Sequence, residues 1–382
     1  MKAGWQTKTL DQISQNLDNK RVPITKADRQ PGEYPYYGAS GIVDFVADYI
    51  FDCDALLVSE DGANLLARAT PIAFSASGKY WVNNHAHILK FENVTTQRFV
   101  ELYLDSITLE PYITGAAQPK LNQKALNSIP VPIPLLPEQE RIVAILDEAF
   151  AGIATARAAA EQNRQNARAL FESHLQSVFS QRGEGWGEKS LEELGTITSS
   201  KRIFKSEYVE SGVPFYRTKE IKELANGREI TTELFISEAR YREIKKGFGV
   251  PKAGDVLLTA IGTIGETWVV EGNDDFYFKD GNVLWLKEFT SITPRFLKYV
   301  LQSFVESLNK MSHGSAYSAL PIQRLNAHKI FLPSQAEQEQ IVTTLDALYD
   351  ETQRLEALHQ RKLEALDKLK QSLLHQAFSG AL

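Results

Sequence analysis

The stretch that decides the fold is Glu138-Gln-Glu-Arg-Ile-Val143, followed by Leu146-Asp147. It returns as Glu337-Gln-Glu-Gln-Ile-Val342, followed by Leu345-Asp346. The shift is 337 − 138 = 199 residues, and the later matches keep it without a gap. A gap would rotate the apolar stripe of a helix away from its partner, so the constant register predicts two copies of one helix. The chain is therefore predicted to have a pseudo-two-fold internal repeat.

Helix signals mark the start of both copies. Pro137 fits a first helical turn, because the N–H group that proline lacks has no helical partner there. In the second copy, Ser334 and Glu337 have the spacing of a capping box. At about 1.5 Å per residue each helix would be roughly 65–70 Å long, too long to bury its stripe in a small domain. The two copies are therefore expected to pack on each other along a coiled-coil seam. The predicted seam residues are Ile142, Leu146, Ile153, Leu170, Ile341, Leu345, Leu348, Leu355, Leu366, Leu369 and Leu373.

Composition limits the class of protein. With 382 residues the chain is long enough for two or three hydrophobic cores. Its one cysteine, Cys53, excludes an internal disulfide and indicates a reducing compartment. No run approaches the roughly 20 apolar residues of a membrane span, so we expect a cytoplasmic protein. The net charge of −6 argues against a general nucleic-acid coat, but leaves DNA binding by local patches open.

The repeat predicts four segments, with boundaries at 1–134, 135–182, 183–333 and 334–382. The first ends in Ile129-Pro-Val-Pro-Ile-Pro134, whose alternating prolines favour an extended lead-in to the helix. Trp186 repeats Trp5 at an offset of 181 residues, whereas Gly314 repeats Gly115 at 199. The second domain therefore carries extra residues in its middle. The frameworks of the two domains match, and their interiors differ.

Together these features resemble the DNA-specificity subunit of type I restriction–modification enzymes. The resemblance covers the whole chain and rests on the order and duplication of its motifs. Pro132-Ile-Pro134 leads into Leu136–Val143, and Phe331-Leu-Pro333 leads into Glu337–Val342. The other family patterns are Tyr34-Pro-Tyr-Tyr-Gly-Ala-Ser-Gly41, Gly254-Asp-Val-Leu-Leu258 and Gly262-Thr-Ile-Gly265.

The resemblance implies an α+β fold with two mixed α/β target recognition domains, separated by a long antiparallel two-helix coiled coil. Each domain would read one half of a split sequence in double-stranded DNA. Because the interiors differ, the full site should be asymmetric, and half-sites roughly 34 Å apart suit two similar heads. The helices would set the gap between the half-sites and dock two methyltransferase subunits.

The resemblance also implies that the chain is a non-catalytic subunit without a cofactor of its own. S-adenosylmethionine, Mg²⁺ and ATP would belong to the methyltransferase subunits and to the restriction or motor subunits of the full complex.

Basic, aromatic and small polar loop residues are the candidate DNA contacts. Arginine suits guanine, lysine and threonine suit phosphates, and glycine-rich turns permit close backbone approach. The alternative, a solvated loop or a plain turn, stays open for each residue. The candidates are Tyr36, Tyr37, Ala39, Ser40, Gln118 and Lys120 in the first domain, and Lys201, Arg202, Lys205, Arg217, Thr218, Lys219, Thr263, His313, Ser315 and Tyr317 in the second.

No pattern of catalytic residues is recognisable. His85 and His87 have strand spacing, but the sequence pairs no third and fourth metal ligands with them. Gly262-Thr-Ile-Gly265 is not a complete phosphate loop, and the adenine methyltransferase tetrad is absent. Two rival functions remain open. One is a metal-dependent nuclease, and the other is a two-headed scaffold for a ligand other than DNA.

Overall fold

The computed structural model describes residues 4–115, 118–181, 183–272, 274–304 and 320–382. The chain divides into two compact units. The first is built from two separate parts of the sequence, and the second is one continuous central part. The first unit combines Met1–Gln162 with His359–Leu382, and the second is Asn163–Leu358. We call residues 4–134 head 1 and residues 183–333 head 2. Among the described residues, no helix is both long enough and apolar enough to cross a membrane.

Head 1 is a mixed α/β structure of short elements. Its strands are β1 (Gln6–Thr9), β2 (Gln15–Asn16), β3 (Pro31–Gly38), β4 (Gly41–Val46), β5 (Phe51–Asp52), β6 (Ala55–Ser59), β7 (Ala73–Ala76), β8 (Lys79–Val82), β9 (Ala86–Lys90) and β10 (Pro130–Ile133). Its α-helices are α1 (Leu10–Ile13), α2 (Asn64–Ala67), α3 (Val94–Ser106) and α4 (Gln123–Asn127). The long helix α5 (Leu136–Ser180) follows.

The strands of head 1 form two four-stranded sheets and a ribbon. The first sheet has the order β2-β9-β6-β7, and all of its pairs are antiparallel. The second has the order β4-β3-β8-β5, with β3 and β8 parallel. The ribbon pairs β1 with β10, so that Thr7 lies opposite Pro132. Proline is tolerated in such a ribbon because an edge strand needs hydrogen bonds on one side only.

Head 2 repeats this plan with different loops. Its strands are β11 (Gly187–Ser190), β12 (Thr196–Ser199), β13 (Tyr208–Val209), β14 (Val213–Tyr216), β15 (Phe235–Ile236), β16 (Val256–Thr259), β17 (Thr267–Val269), β18 (Tyr277–Phe278), β19 (Val283–Lys287) and β20 (Lys329–Leu332). Its α-helices are α6 (Leu191–Leu194), α7 (Thr218–Ala225), α8 (Glu238–Gly247), α9 (Pro294–Ser303) and α10 (Ile322–Asn326). The long helix α11 (Gln335–Ser379) follows.

The antiparallel sheet and the ribbon of head 2 match those of head 1 in strand order, whereas the second sheet differs, because its parallel pair lies at one edge and not in the centre. The orders are β12-β19-β16-β17 for the antiparallel sheet, β13-β15-β14-β18 for the second sheet, and β11-β20 for the ribbon. Again one pair of the second sheet, β14 and β18, is parallel. The additional residues of head 2 form α7 and α8 between β14 and β16, where head 1 has β4 and β5. The predicted α+β fold with an internal repeat is thereby confirmed.

In the first unit, the beginning of α5 packs against the end of α11. Arg157 forms an ion pair with Asp367. The ammonium group of Lys370 lies 5.2 Å from the centre of the Phe150 ring. Arg157 follows Phe150 in α5, whereas its partner Asp367 precedes Lys370 in α11. The two helix segments therefore run antiparallel.

The second unit shows the same arrangement with the other halves of the two helices. Nη2 of Arg168 lies 3.0 Å from Oε2 of Glu356. The rings of Phe171 and Tyr349 meet edge to face at 5.3 Å. Phe171 follows Arg168 in α5, whereas its partner Tyr349 precedes Glu356 in α11, so these segments run antiparallel as well. The antiparallel helix pair expected from the resemblance is present within each unit.

Most of the predicted seam residues are at least half-buried. Leu170 and Leu369 are corrections, because they expose 53% and 47% of their surface. The buried stripe of α5 instead continues through Ala167, Phe171 and Leu175, which places Leu170 beside it. The fully or nearly buried predictions are Ile142, Leu146, Ile153 and Leu345, and the half-buried ones are Ile341, Leu348, Leu355, Leu366 and Leu373.

Each head shares its hydrophobic core with both long helices. In the first unit, Phe99 of head 1 belongs to one cluster with Leu146 of α5 and Leu374 of α11. In the second unit, Phe296 of head 2 belongs to one cluster with Leu175 and Leu345. Neither head therefore completes its core from its own residues, and burial of this apolar surface stabilises the attachment of head to helix.

A buried glutamine joins each head to a long helix. Nε2 of Gln139 donates to the carbonyl of Pro134 at 2.8 Å, and Oε1 accepts from the Thr96 hydroxyl at 2.8 Å. Nε2 of Gln338 donates to the carbonyl of Pro333 at 3.1 Å, and Oε1 accepts from the Thr293 N–H at 2.8 Å. These contacts explain why a glutamine stands between two glutamates in both copies of the repeat.

An arginine–aspartate pair repeats beside each glutamine. Nη2 of Arg98 in α3 lies 2.6 Å from Oδ1 of Asp147 in α5. Nη1 of Arg295 in α9 lies 2.6 Å from Oδ2 of Asp346 in α11. The hydroxyl of Tyr299 also donates to Asp346 at 2.6 Å. These arginines and aspartates orient each head on its helix, whereas solvent screening limits their contribution to stability.

Candidate nucleic-acid interface

Two predicted contacts lie in strand β3, and the structure corrects one of them. Tyr36 is only 1% exposed, and its hydroxyl donates to the carbonyl of Ile24 at 3.3 Å. Tyr37 is half-buried, its ring lies 5.6 Å from that of Tyr80, and burial raises the pKa of its hydroxyl. Successive side chains of a strand point to opposite faces, so the two tyrosines cannot share one surface. Tyr36 is a core residue and not a candidate contact.

The β3–β4 hairpin presents other residues at the surface. Its turn is Ala39-Ser40, where the carbonyl of Ala39 accepts a hydrogen bond from the Ser59 hydroxyl. Ser40 is exposed. Three large apolar side chains of β4, missed by the sequence reasoning, are about half exposed: Ile42, Val43 and Phe45. β4 is an edge strand, and its pairing with β3 is irregular at Val43, which lies between the pairs Tyr36–Asp44 and Tyr37–Ile42 and has no partner of its own; the amino-acid pattern does not show this irregularity.

The loop that carries Gln118 and Lys120 is tied at both ends. Thr114 and Lys120 exchange backbone hydrogen bonds of 2.8 Å. Gly115 has a φ of +86°, and a Cβ atom there would lie 2.4 Å from the carbonyl oxygen of Gln118, so only glycine fits. Nζ of Lys120 lies 3.1 Å from Glu60. The loop thus holds Gln118 and the half-exposed Lys120 in a defined position.

A buried network supports this loop from within head 1. Nδ1 of His87 lies 2.5 Å from Oδ2 of Asp18, and its Nε2 lies 2.7 Å from the carbonyl of Leu121. Nη1 of Arg21 lies 2.6 Å from Glu60. Burial alone would raise the pKa of Asp18, but the hydrogen bond and charge of His87, the N–H of Ile88 and the charge of Arg21 together lower it.

In head 2, the predicted cations Lys201, Arg202 and Lys205 lie in one exposed segment. Nε of Arg202 lies 3.0 Å from Oδ2 of Asp280, although the arginine side chain remains 68% exposed. Between these cations, Ile203 is 1% exposed and Phe204 is 60% exposed. The sequence reasoning did not single out Phe204, although an aromatic residue between lysines and arginine is a recognisable signal.

Arg217 and Lys219 lie at the start of α7 and are engaged within the head. Nη2 of Arg217 lies 2.8 Å from both Glu220 and Glu233, and Nζ of Lys219 lies 2.9 Å from Glu233. The hydrogen bonds that the Arg217 guanidinium donates to these glutamates raise its pKa further above its ordinary value. The hydroxyl of Thr218 is buried without a hydrogen-bond partner in the described part of the chain. Two acidic neighbours thus balance the two cations.

The remaining candidates are Thr263, His313, Ser315 and Tyr317. Thr263 is exposed in the turn between β16 and β17, and its carbonyl accepts from the Thr259 hydroxyl at 2.5 Å. The other three lie outside the described residues.

His85 and His87 have different surroundings. His85 is 47% exposed and lies 2.9 Å from Asp61, whereas His87 is 1% exposed and is paired with Asp18. Within the described ranges, no group of three or more histidine, cysteine, aspartate or glutamate side chains is arranged to hold a metal ion.

Comparison with known families supports the fold and the repeat. The family model for the type I restriction modification DNA specificity domain matches residues 2–162 and again residues 183–365. The chain belongs to this specificity family. The double match confirms the resemblance drawn from the sequence, and it assigns the chain a DNA sequence-specificity role. Specificity subunits are not catalytic.

A known specificity subunit and two solved structures are similar over nearly the whole chain. A putative type I restriction enzyme specificity subunit from Haemophilus influenzae is 29% identical over 344 residues, covering 89% of this chain and 86% of that protein. A solved chain concerned with assembly and conformational transition of the type I restriction–modification system aligns with a TM-score of 0.78 at 18% identity, covering 100% of this chain and 99% of that one. The HsdS subunit of Thermoanaerobacter tengcongensis aligns with a TM-score of 0.59 at 18% identity, covering 100% and 98%. At this identity the two structures support the shared fold.

Within this specificity fold, the two heads expose different chemistry. Head 1 presents a serine and aliphatic or aromatic side chains on the β3–β4 hairpin, together with Lys120. Head 2 presents the cations and the phenylalanine of the segment from Lys201 to Lys205. Equal frameworks with unlike surfaces are what two readers of two different sequences require.

Proposed function

We propose that head 1 and head 2 are target recognition domains that read two different half-sites of one asymmetric DNA sequence. The observation that carries this proposal is that the strand order of the antiparallel sheet and of the ribbon repeats, whereas the exposed residues do not. The repeated Gln139 and Gln338 contacts attach both heads to the long helices in the same way. The proposed domain boundaries are 1–134, 135–182, 183–333 and 334–382, which place these attachments at the junctions.

In this proposal, DNA contacts come from the exposed candidates of each head. Head 1 contributes Ser40, Gln118 and Lys120, and head 2 contributes Lys201, Arg202, Lys205 and Thr263. Lysine and arginine side chains neutralise phosphates, and serine and glutamine can bond to base edges. Arg217 contributes less, because it is paired with both Glu220 and Glu233. Each of the other paired cations has one acidic partner, and these cations are Lys120, Arg202 and Lys219.

The long helices are the proposed docking surface for two methyltransferase subunits. Because α5 and α11 are copies of one sequence, an outward residue kept in both copies can bind two copies of the same partner. S-adenosylmethionine, Mg²⁺ and ATP belong to these partners and to added restriction or motor subunits, acting with this chain in the cytoplasm. The net charge of −6 fits a chain that binds DNA tightly only with its partners.

Exchange of one head tests the proposal directly. Residues 183–333 are replaced by the corresponding domain of another specificity subunit, and the chain is expressed with its methyltransferase partner. Methylome sequencing should then show one half of the methylated sequence changed and the other half kept. A sequence unchanged in both halves, or changed in both, would contradict it. DNA affinity measured with and without the methyltransferase subunits tests the partner requirement, and equal affinities would count against that part.

A further inference from the structure

Phe204 exposes a large aromatic ring that the fold of head 2 does not use. Its surface is 60% exposed, whereas the neighbouring Ile203 is 1% exposed and belongs to a hydrophobic cluster of this head. Exposure of an apolar ring of this size forgoes the stabilisation that burial would give. A single exposed phenylalanine is not unusual, but its surroundings here are specific.

The backbone around Phe204 is held on both sides. The hydroxyl of Ser200 donates to the carbonyl of Phe278 at 2.7 Å, and the N–H of Lys201 donates to the hydroxyl of Tyr277 at 2.7 Å. On the other side, the N–H of Phe204 itself donates to Oε2 of Glu207 at 2.7 Å. With Ile203 buried between these anchors, the segment presents the ring in a defined position.

The charges around the ring suit a polyanion. Lys201, Arg202 and Lys205 are all exposed within four residues of sequence. Of the nearby acidic side chains, Asp280 and Glu207 are only 14% and 26% exposed, and the 63% exposed Glu243 is paired with Arg240. The exposed cations of the segment therefore outnumber its unpaired acidic neighbours. An exposed ring flanked by cations can contact stacked bases while the cations meet the phosphates on either side.

Head 1 lacks this ring at the equivalent place. The pair Lys20-Arg21 precedes Val22-Pro23, as Lys201-Arg202 precedes Ile203-Phe204, with an offset of 201 − 20 = 181 residues. Each pair follows the equivalent edge strand, β2 or β12, of the antiparallel sheet. However, Arg21 is 14% exposed and bound to Glu60, and Pro23 takes the position of Phe204. The ring therefore distinguishes the two heads.

We propose that the Phe204 ring inserts between two adjacent base pairs of the half-site bound by head 2, with Lys201 and Lys205 on the flanking phosphates. This rests on the proposed function of head 2 as a DNA reader. Apolar side chains that enter a base step unstack it and kink the duplex. Pyrimidine–purine steps unstack most readily, so the step entered should be TA or CA/TG. Phe204 would thus add specificity through deformability of the DNA.

The test uses the full chain assembled with its methyltransferase subunits. The probe is a duplex carrying the sequence that methylome sequencing identifies, with 2-aminopurine placed in turn at each adenine of both half-sites except the methylated adenines, because a methyltransferase extrudes its target base from the duplex. The wild-type complex should raise the fluorescence at one step in the half-site of head 2 and at none in the half-site of head 1. Phe204→Ala should abolish that rise and weaken binding about 10-fold, since base–aromatic stacking contributes on that scale. Phe204→Trp should retain both.

Val209→Ala is the matched control, because Val209 is a 39% exposed apolar residue of the next strand, β13. It should leave the fluorescence and the affinity unchanged, and the melting temperatures of all variants should match the wild type. Unchanged binding by Phe204→Ala, or no fluorescence change in the wild-type complex, would overturn the proposal. If the wild-type complex bound no duplex at all, the proposed function itself would fail, which is a separate outcome.

Discussion

Gln139 and Gln338 make the same buried contact 199 residues apart. Each side-chain amide donates to the carbonyl of the proline that directly follows the preceding strand, Pro134 at 2.8 Å and Pro333 at 3.1 Å. Each amide oxygen accepts a hydrogen bond from the first turn of a head helix. The terminal amide of glutamine offers a donor and an acceptor on separate atoms, so one side chain can make both contacts. The pair therefore fixes both heads to the helices by one chemistry.

Replacement of Gln338 by leucine should destabilise the second unit. Leucine keeps the apolar volume but leaves the carbonyls of Ser291 and Pro333 and the N–H of Thr293 without their partner. Each buried group left unpaired costs about 1–3 kcal/mol. Thermal denaturation should show a melting temperature lowered by about 2–4 °C per kcal/mol. Gln340→Leu, at an exposed position of the same helix, is the control, and an equal effect of both variants would contradict the role assigned to Gln338.

The stability of head 1 should fall in acid through Asp18. Its pKa in the folded chain lies below the ordinary value of 3.8, so the unfolded chain binds the proton more readily. The stabilisation from ionised Asp18 is therefore present above about pH 4, and is lost as the pH falls through the lowered folded value. Melting of the wild type and of Asp18→Asn, compared from pH 7 to pH 3, should show a difference that shrinks in acid. A difference independent of pH would exclude this linkage.

Lys205 and Arg217 should differ in their effect on the salt dependence of DNA binding. If Lys205 contacts a phosphate, Lys205→Ala should lower the slope of log affinity against log salt concentration by about 0.9. Arg217 is already paired with Glu220 and Glu233, so Arg217→Ala should change the slope less. Lys329→Ala, in the ribbon strand β20 and paired with Glu188, is the matched control. Equal slopes for Lys205→Ala and the control would show that Lys205 does not contact a phosphate.

Leu170 and Leu369 should matter for assembly and not for folding. They occupy equivalent positions of α5 and α11, and both are about half exposed. Packing in the hydrophobic core does not explain a half-exposed leucine at the same position of both helices. A methyltransferase subunit that binds once to each helix would explain it. Leu170→Asp and Leu369→Asp should therefore leave the melting temperature unchanged and weaken binding of methyltransferase subunits in analytical ultracentrifugation.

Leu358→Asp is the control for these two variants. Leu358 is 47% exposed on α11, but its counterpart in α5 is Ala159, so the leucine is not shared between the copies. It should assemble like the wild type. Loss of assembly only in Leu358→Asp would place the partner on another face of the helix.

Individual exposures were harder to predict than the elements that carry them. The extended lead-in predicted at Ile129–Pro134 and the helix start predicted around Pro137 correspond to β10 and the first turn of α5, because local patterns of proline and apolar residues reflect local structure. Tyr36 was expected at the surface and is buried, because β3 lies between β4 and β8 in its sheet. Leu170 was expected in the seam and is exposed. Spacings of three and four residues fit Leu170 and the adjacent Phe171 equally well, and contact with the partner helix decides which of the two is buried.

The sequence by itself determined the repeat, the two long helices with their starts at Leu136 and Gln335, and the family. Periodicity and duplication are properties of the order of residues, so they can be read without coordinates. Only the tertiary structure decided which distant segments complete each head. Phe378, near the end of the chain, packs its ring 5.1 Å from that of Phe99 in head 1. Contacts between residues so far apart in sequence depend on the tertiary fold. The hydrophobic effect favours burial of an apolar side chain against any complementary apolar surface, whether or not that surface is close in sequence.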